Sequence, residues 1–333
     1  MKTQLALQQS IFGISGEDDF QRAAMEVFCF QYDRNKVYRS WCDALGTCKA
    51  DVKRIDQIPF LPVEFFRTHD IIADGMKPGQ VFTSSGTTAE SSSRHLVADE
   101  KLYRESFLRC FELFYGRPEE WTILALLPSY LDRTGSSLVY MVSELIHRST
   151  DANSGFYLRN LQQLHQQLQQ LSGQNRKTLL LGVTYALLDL AAIGPVDFPD
   201  LVVMETGGMK GKRKEMIREE VHQLLQQAWH VSKIHSEYGM TELLSQAYSA
   251  GEGRFFCPPW MKIAIRDIND PLSSMPCGKT GGINIIDLAN IYSCSFIAVQ
   301  DLGKLNADGS FEVLGRFDHS QTRGCNLMAD ALS

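Results

Sequence analysis

The sequence lacks the paired-cysteine patterns that mark metal sites and disulfide frameworks. Its eight cysteines are scattered over 333 residues, with no CxxC pair and no metal-type spacing to histidine, which is typical of reduced thiols in the cytoplasm. No apolar run approaches the roughly 20 residues that a membrane span needs. The segment Met1–Gly16 has no apolar core of the signal-peptide kind. The sequence therefore predicts a cytoplasmic protein without a membrane span.

The chain also lacks a block of basic residues. Its 33 Lys and Arg residues are outnumbered by 39 Asp and Glu residues, which gives a formal net charge of -6 at pH 7. Nucleic acid backbones and anionic membranes are bound mainly by clustered positive charge, so neither is expected as a partner. An anionic substrate must then be held by a local group of donors.

Short apolar runs alternate with helix-like segments through the middle of the chain. Buried strands are predicted at Thr122–Leu127, Thr178–Val183, Leu201–Glu205 and Val231–His235. Helices are predicted at Asp99–Phe114, Ser136–His147, Leu158–Leu171, Tyr185–Ala192 and Lys212–Trp229. Strands and helices that alternate at this spacing favour an α/β sheet with parallel crossovers.

The two ends of the chain depart from this alternation. Apolar residues in Asp18–Leu45 have helical spacing, and the two prolines of Ile58–Phe66 interrupt a helix and favour an extended segment. Closely spaced strands are predicted at Met261–Ile268, Gly282–Asp287, Ser295–Asp301 and Phe311–Leu314. We predict one large domain at 1–315, with a helical and extended preamble (1–70), an α/β part (71–255) and a β-rich part (256–315), followed by a short tail (316–333).

The first candidate site is the hydroxyl-rich stretch Val81–Ala89. Gly86 lies among five hydroxyl residues, which are Thr83, Ser84, Ser85, Thr87 and Thr88. Hydroxyl and backbone N–H groups donate to phosphate oxygens, and glycine lets the backbone approach a ligand closely. The GK[ST] ending of a Walker loop is missing, which disfavours an ordinary P-loop NTPase. A Ser/Thr-rich surface turn is the structural alternative.

The second candidate site is Glu205–Met209, which follows a predicted strand. Its paired glycines, Gly207 and Gly208, would allow a flat ring to lie against bare backbone at the carboxyl end of the strand. A tight turn that leads into the next helix is the alternative.

The third candidate site is Ser236–Glu242, which follows another predicted strand. It combines the ring of Tyr238, Gly239, the hydroxyl of Thr241 and the carboxylate of Glu242. These groups suit stacking on a base, contact with phosphate and binding of Mg²⁺. A helix that begins at Thr241 as its N-cap is the alternative.

The fourth candidate site pairs Asp301–Gly303 with Gly315–Asp318, at the ends of two late strands. The carboxylate of Asp301 could accept both hydroxyls of a ribose, and Arg316 could add charge-assisted donors. Ordinary turn residues are the alternative.

In this order, the four sites resemble the adenylate-forming superfamily of acyl-CoA synthetases, luciferases and peptide-synthetase adenylation domains. The segments Ile58–Phe66, Thr83–Thr88, Pro128–Ser137 and Gly315–Cys325 are similar to the acyl-protein synthetase branch, the LuxE type. The resemblance spans nearly the whole chain. It implies the large α/β domain of these enzymes, with mixed sheets flanked by helices and a β-rich closing subdomain, and with the small carboxy-terminal domain absent or truncated.

The resemblance also implies an activity. The chain would use ATP and Mg²⁺ to activate a carboxylic acid, of the fatty type, as an acyl-adenylate, and would pass the acyl group to a thiol. That thiol could be its own Cys325, with a reductase as the next partner, or it could belong to an acyl carrier or coenzyme A. An aryl- or acyl-CoA or carrier-protein ligase of the phenylacetate type is the first alternative. A non-catalytic nucleotide-binding partner subunit is the second.

Individual residue roles follow from the same resemblance. Thr83, Ser84, Ser85, Gly86, Thr87 and Thr88 would grip the β- and γ-phosphates, with Arg94 in place of the lysine that often follows this loop. Gly207 and Gly208 would border the adenine, and Tyr238, followed by Gly239, would stack on it. Thr241 and Glu242 would meet the α-phosphate and Mg²⁺. Asp301, helped by Arg316, would accept the ribose hydroxyls.

Two features of the tail bear on this comparison. There is no room after Asp318 for the superfamily's small domain with its catalytic lysine, and no lysine follows Lys304. Three other cations are candidates to stabilise charge in its place, namely Lys210, Lys212 and Arg133. Cys325 matches the cysteine that carries the acyl group in this branch, and Arg323 nearby could lower its pKa. The alternative is that Cys325 is a small buried apolar residue.

Overall fold

The structure is a computed structural model that describes residues 4–84, 92–128, 135–157, 160–207 and 216–316. Contacts divide the described chain into two compact units. The first unit takes the described residues of Met1–Ser106, Met240–Ser245 and Phe256–Ser333, and the second takes those of Phe107–Gly239 and Gln246–Phe255. The limits of 1–315 and of its three parts stay a prediction.

The bounds of the regular elements are as follows. The helices are α1 (Gln4–Ile11), α2 (Glu17–Arg34), α3 (Lys36–Ala44), α4 (Phe65–Thr68), α5 (Glu100–Tyr115), α6 (Ser137–Ser149), α7 (Leu161–Leu171), α8 (Thr184–Ala191) and α9 (Arg218–Trp229). The strands are β1 (Leu61–Pro62), β2 (Gln80–Thr83), β3 (Arg94–Val97), β4 (Trp121–Leu126), β5 (Gly155–Phe156), β6 (Lys177–Val183), β7 (Val202–Thr206), β8 (His235–Tyr238), β9 (Ala247–Ser249), β10 (Arg254–Phe256), β11 (Met261–Arg266), β12 (Thr280–Asp287), β13 (Phe296–Leu305) and β14 (Phe311–Arg316).

The first unit combines amino-terminal helices with the late strands. Helix α2 buries Phe20, Val27 and Phe28 on one face and carries acidic residues in its first turn, where they complement the helix dipole. The Asn35 side chain caps α3 by accepting a hydrogen bond from Tyr38 N at 3.0 Å. Strands β11, β12, β13 and β14 pair antiparallel in that order, and β1 pairs parallel with β13. A separate hairpin joins β2 and β3.

The second unit contains the predicted α/β sheet. Its strand order is β10-β9-β8-β7-β6-β4-β5, and the five strands from β8 to β5 run parallel. Every residue of β4 is buried, and so is every residue of β6 after Lys177. Strands that are covered on both faces read as continuous apolar runs, which is why the sequence revealed them. The predicted α/β fold class is confirmed.

Three element predictions need correction. The predicted strand at Val231–His235 is wrong, because β8 begins at His235. Val231 and Ile234 are buried in a loop, so their apolar pattern reports burial and not strand pairing. Helix α9 begins at Arg218, and residues 216–217 before it are not helical. Within the segment 58–66, only Leu61–Pro62 is a strand, and α4 begins at Phe65 because no proline follows Pro62 there to prevent it.

None of the helices in the described part of the chain combines the length and the apolar character that crossing a bilayer requires.

Candidate functional site

The base of the hydroxyl-rich loop is closed by two serines in the first unit. Strands β2 and β3 pair antiparallel up to Thr83 opposite Arg94. Beyond that pair, Ser84 N donates to Ser93 O at 3.1 Å and Ser93 N donates to Ser84 Oγ at 2.9 Å. Thr83 and Ser84 therefore lie where this loop begins. The other predicted loop residues, which are Ser85, Gly86, Thr87 and Thr88, lie outside the described residues.

The loop base meets the predicted magnesium ligand. Ser93 Oγ donates a hydrogen bond to Glu242 Oε1, although the two residues are 149 positions apart in sequence. Ser93 is 2% exposed and Glu242 is 5% exposed, so the contact is shielded from bulk water. The structure thus places the base of the hydroxyl-rich loop in contact with Glu242 of the third candidate site.

Opposing effects act on the Glu242 carboxyl. Burial raises the pKa of Glu242, and the hydrogen bond from Ser93 and the positive charges of Arg316 and Arg67 act in the opposite direction without cancelling it. Buried carboxylates persist in proteins when hydrogen bonds and cations accompany them. The hydrogen bond and the two cations therefore offset only part of the cost of a buried negative charge at Glu242.

A buried histidine holds the turn that carries Thr241 and Glu242. His95 Nδ1 lies 2.8 Å from Thr241 O, and His95 Nε2 lies 3.0 Å from Asn290 Oδ1. Asn290 Nδ2 in turn donates to Glu242 O at 2.8 Å. Burial lowers the pKa of His95 to about 4, so the ring is neutral at pH 7 and donates one N–H.

A buried aspartate fixes the chain just after this turn. Asp287 Oδ2 accepts from Leu244 N at 2.7 Å and from Ser245 N at 3.0 Å, and Asp287 Oδ1 accepts from Ser245 Oγ at 2.6 Å. The alternative in which Thr241 caps a helix is wrong, because residues 241–242 form a turn and no helix follows them through residue 287. Side chains, and not a helix, fix this segment.

The fourth candidate site also forms in the first unit. Asp301 on β13 lies opposite Arg316 on β14, and Arg316 Nε donates to Asp301 Oδ1 at 3.1 Å. The Asp301 side chain is 12% exposed and that of Arg316 is 69% exposed. Since Arg316 also acts electrostatically on Glu242, the third and fourth candidate sites lie within electrostatic reach of each other.

The second unit holds the residues predicted to meet adenine. The last registered pair between β7 and β8 is Thr206 opposite Glu237, so Gly207 and Tyr238 follow it at the same edge of the sheet. Gly207 has φ 65°, a conformation that glycine adopts without strain, and its carbonyl oxygen accepts from Thr184 Oγ1 at 2.7 Å. Gly208 lies outside the described residues.

Two largely buried glutamates, Glu205 and Glu237, precede these positions in the second unit. Glu205 accepts from Thr184 Oγ1 at 2.9 Å and lies 3.1 Å from His222 Nε2. Burial raises the pKa of Glu205, but His222, Thr184 and Arg218 outweigh burial, so its pKa is lowered. Burial raises the pKa of Glu237 to about 7, against a hydrogen bond from Thr206. A Cβ at Gly239 would overlap the Glu237 carboxyl, so a larger residue there would displace that side chain.

The remaining candidates are either paired elsewhere or not described. Arg94 forms an exposed ion pair with Asp70, with 2.7 Å between Nη2 and Oδ1, and its role as a phosphate ligand stays a prediction. Cys325, Arg323, Arg133, Lys210 and Lys212 lie outside the described residues.

The sequence prediction missed Ser93, His95, Asn290 and Asp287. Of these, Ser93 and His95 had a usable signal. They sit at alternate positions at and just before β3, so their side chains project from one face.

Comparison with known proteins bears on the family. The family described as acyl-protein synthetase, LuxE, matches residues 7–333. A long-chain-fatty-acid–luciferin-component ligase from Aliivibrio fischeri is 22% identical over an alignment of 331 positions, and the match covers 91% of this chain and 85% of that protein.

Solved structures bear on the fold. A 2-hydroxyisobutyryl-CoA ligase in complex with 2-HIB-AMP and CoA matches with a TM-score of 0.68 and 14% identity, over 91% of this chain and 71% of the other. ATP-bound MatB from Rhodopseudomonas palustris matches with a TM-score of 0.53 and 16% identity, over 71% of this chain and 47% of the other. These matches confirm the fold predicted from the order of the sequence motifs, and the family match confirms the predicted ligase class. The chain therefore belongs to the acyl-protein synthetase family of the LuxE type.

Proposed function

We propose that this chain is an ATP-dependent, AMP-forming acid–thiol ligase that activates a fatty acid as its acyl-adenylate. The contact that carries this proposal is the hydrogen bond from Ser93 to Glu242. It joins the base of a phosphate-binding type of loop to a carboxylate suited to a metal–phosphate complex. Membership in the acyl-protein synthetase family supports the reaction class.

Residues of the first unit would bind the phosphates and the ribose. The loop from Thr83 to Thr88 would donate to the β- and γ-phosphates, Thr241 would meet the α-phosphate, and Asp301 would accept the ribose hydroxyls with help from Arg316. Mg²⁺, held by Glu242 and by phosphate oxygens, would neutralise part of the phosphate charge. Glu242 fits this role because its carboxylate is a hard oxygen ligand that Ser93 holds at the base of the loop.

Residues of the second unit would bind adenine. Gly207 and Gly208 would border the ring, and Tyr238, followed by Gly239, would stack on it. Gly207 has no side chain to block a flat ligand, and its left-handed backbone favours glycine at this position.

The reaction would run in two steps. A carboxylate oxygen of the acid attacks the α-phosphorus, and the bond from that phosphorus to the bridging oxygen breaks, so that pyrophosphate leaves with its electron pair. A thiolate sulfur then attacks the acyl carbonyl carbon, and AMP leaves with the former carboxylate oxygen. Preorganised donors aimed at the developing phosphate charge would lower the barrier of the first step.

The acceptor thiol has two candidates. Cys325, with Arg323 to lower its pKa, would hold the acyl group as a thioester before a reductase takes it. Transfer to coenzyme A or to an acyl carrier, as in a phenylacetate-type ligase, is the second candidate. It is favoured by the structural match to a ligase whose complex contains CoA.

The test is exchange of labelled pyrophosphate into ATP with Mg²⁺ and a panel of fatty and aryl acids. We expect acid-dependent exchange, and a Cys325→Ser variant that keeps the exchange but loses covalent acyl labelling. Absence of exchange with every acid, together with tight ATP binding, would instead identify a non-catalytic nucleotide-binding subunit. Full-rate transfer to coenzyme A by Cys325→Ser would replace self-acylation with the second candidate.

A further inference from the structure

One buried hydroxyl in the second unit contacts the chain on both sides of the last residue of β7. Thr184 is the first residue of α8, directly after β6, and it is 4% exposed. Its Oγ1 lies 2.9 Å from Glu205 Oε2 and 2.7 Å from Gly207 O. Both distances are normal for a hydroxyl that donates to oxygen. Since the hydroxyl has one proton, the two acceptors share it.

The Glu205 carboxylate that shares this hydroxyl is also held from two other elements. Its second oxygen, Oε1, accepts from Ser236 Oγ on β8 at 3.1 Å and lies 3.1 Å from His222 Nε2 on α9. The side chains of Glu205 and His222 are 13% and 11% exposed, so water competes little for these contacts. Thr184 therefore links the Gly207 peptide to a carboxylate that α9 and β8 already hold in place.

Gly207 lies just beyond the ladder between β7 and β8. The last registered pair of that ladder is Thr206 opposite Glu237. Gly207 is exposed, and its φ is 65°, one of the many conformations that a free glycine adopts. A hydrogen bond to its carbonyl oxygen fixes one of these conformations in advance. A ligand that lies against the peptide then binds without the entropic cost of ordering it.

We propose that Thr184 is a positioning residue for the adenine site, because its hydroxyl, which Glu205 holds in turn, fixes the Gly207 peptide against which the base lies. This inference rests on the proposed function, in which adenine borders Gly207, and adds Thr184 and Glu205 to that site as supports of the peptide. A peptide ordered in advance strengthens the binding of every adenine nucleotide alike. Binding of this uniform kind lowers KM and leaves kcat unchanged.

The experiment compares Thr184→Val with the wild type in two assays on the full chain. One assay is pyrophosphate exchange into ATP at varied ATP and acid concentrations, and the other is calorimetric binding of AMP. Valine keeps the branched shape of threonine and lacks the hydroxyl. We expect KM for ATP and the dissociation constant of AMP each to rise about two- to tenfold, the effect of losing one hydrogen bond between neutral groups. The exchange rate at saturating ATP and KM for the acid should not change.

Two variants control for the substitution itself. Thr184→Ser keeps the hydroxyl and should restore both constants to nearly their wild-type values. Thr178→Val makes the same change near the opposite end of β6, where the buried Thr178 hydroxyl donates to Arg176 O at 3.3 Å. It removes a hydrogen bond of the same kind in the same unit, so it should lower stability without changing either constant.

Each outcome decides the inference. Wild-type constants in Thr184→Val overturn the role of Thr184 and leave the proposed function intact. Equal changes in Thr178→Val, a matching rise in KM for the acid, or raised constants in Thr184→Ser overturn it too, because each indicates a general structural effect. If Thr184→Val does not fold, Thr184→Ala, which also lacks the hydroxyl and adds no bulk, is judged by the same constants.

The two assays separate this inference from the proposed function. If the wild type shows no exchange with any acid, adenylation is overturned, and AMP binding still decides the role of Thr184. If the wild type does not bind AMP either, both are overturned.

Discussion

Ser93 and His95 act on one turn from neighbouring positions of the chain. Ser93 donates to the carboxylate of Glu242, and His95 lies against the carbonyl oxygen of Thr241. Ser93 lies just before β3 and His95 lies in it, so one short segment contacts both the side chain and the backbone of the turn. The orientation of Glu242 therefore depends on β3 as much as on its own segment.

A Ser93→Ala substitution tests this dependence. It removes the hydrogen bond to a buried carboxylate. We expect this loss to lower the free energy of unfolding by about 1–3 kcal/mol and to raise the pKa of Glu242 further. The Mg²⁺ concentration that gives half-maximal pyrophosphate exchange should rise, because a more readily protonated carboxylate binds metal less well.

The matched control for this prediction is Ser172→Ala. The Ser172 hydroxyl donates to Gln169 O at the end of α7, in the second unit. The Ser172→Ala substitution should change the thermal unfolding midpoint only slightly, and it should leave the Mg²⁺ dependence of pyrophosphate exchange unchanged. An unchanged Mg²⁺ dependence in Ser93→Ala would contradict the coupling of Ser93 to Glu242.

At the residue scale, the sequence predicted residues with ligand-type chemistry, whose roles stay a prediction, and missed the residues that hold the turn at Thr241 and Glu242. Glu242 follows β8 and the hydroxyl-rich stretch begins at the end of β2, but Asp301 lies within β13 and not at a strand end as predicted. His95 and Asn290 act through backbone carbonyl oxygens of distant segments, and a contact of that kind leaves no pattern in sequence.

The segment 240–245 is an element without regular structure. Its backbone groups are satisfied by side chains from elsewhere in the first unit, namely Asp287, Asn290 and His95. Buried backbone N–H groups need such partners when no helix or strand supplies them. Rigidity in this turn thus comes from side-chain acceptors.

An Asp287→Ala variant should loosen this element. It leaves Leu244 N and Ser245 N buried without an acceptor, which should lower the free energy of unfolding by at least about 2 kcal/mol. Hydrogen exchange measured on peptides that cover residues 240–245 should accelerate, and pyrophosphate exchange should fall with it.

The control here is Asp267→Ala, which also removes a carboxylate that accepts from two backbone N–H groups, but in an exposed turn. Water can replace the lost acceptor there, so hydrogen exchange at 240–245 should not change. Equal protection of 240–245 in Asp287→Ala and the wild type would refute the proposed support.

Element prediction succeeded where burial and pairing coincide. Strands β4 and β6 are buried along nearly their whole length, so an apolar run marks them correctly. It failed at residues 231–234, where the same apolar signal comes from a buried loop before β8. It also failed at α4. A proline restricts its own backbone and the residue before it, so Pro62 does not prevent a helix that begins at Phe65.

At the scale of the whole molecule, the order of four motifs was enough to predict the family and the fold. The family match over residues 7–333 confirms the resemblance, because the motifs lie at fixed places in a shared topology. The composition of the two units was not predictable. Residues 240–245 belong to the first unit, while the residues on both sides of them in sequence belong to the second. Only contacts in three dimensions reveal this division.

The central claim is that the carboxylate of the acid attacks the α-phosphate of ATP. Its most direct measurement uses an acid labelled with heavy oxygen in both carboxylate positions, followed by mass spectrometry of the nucleotide released after acyl transfer. The account predicts AMP that carries one heavy oxygen atom from the acid. Unlabelled AMP, or release of ADP in place of AMP, would contradict it.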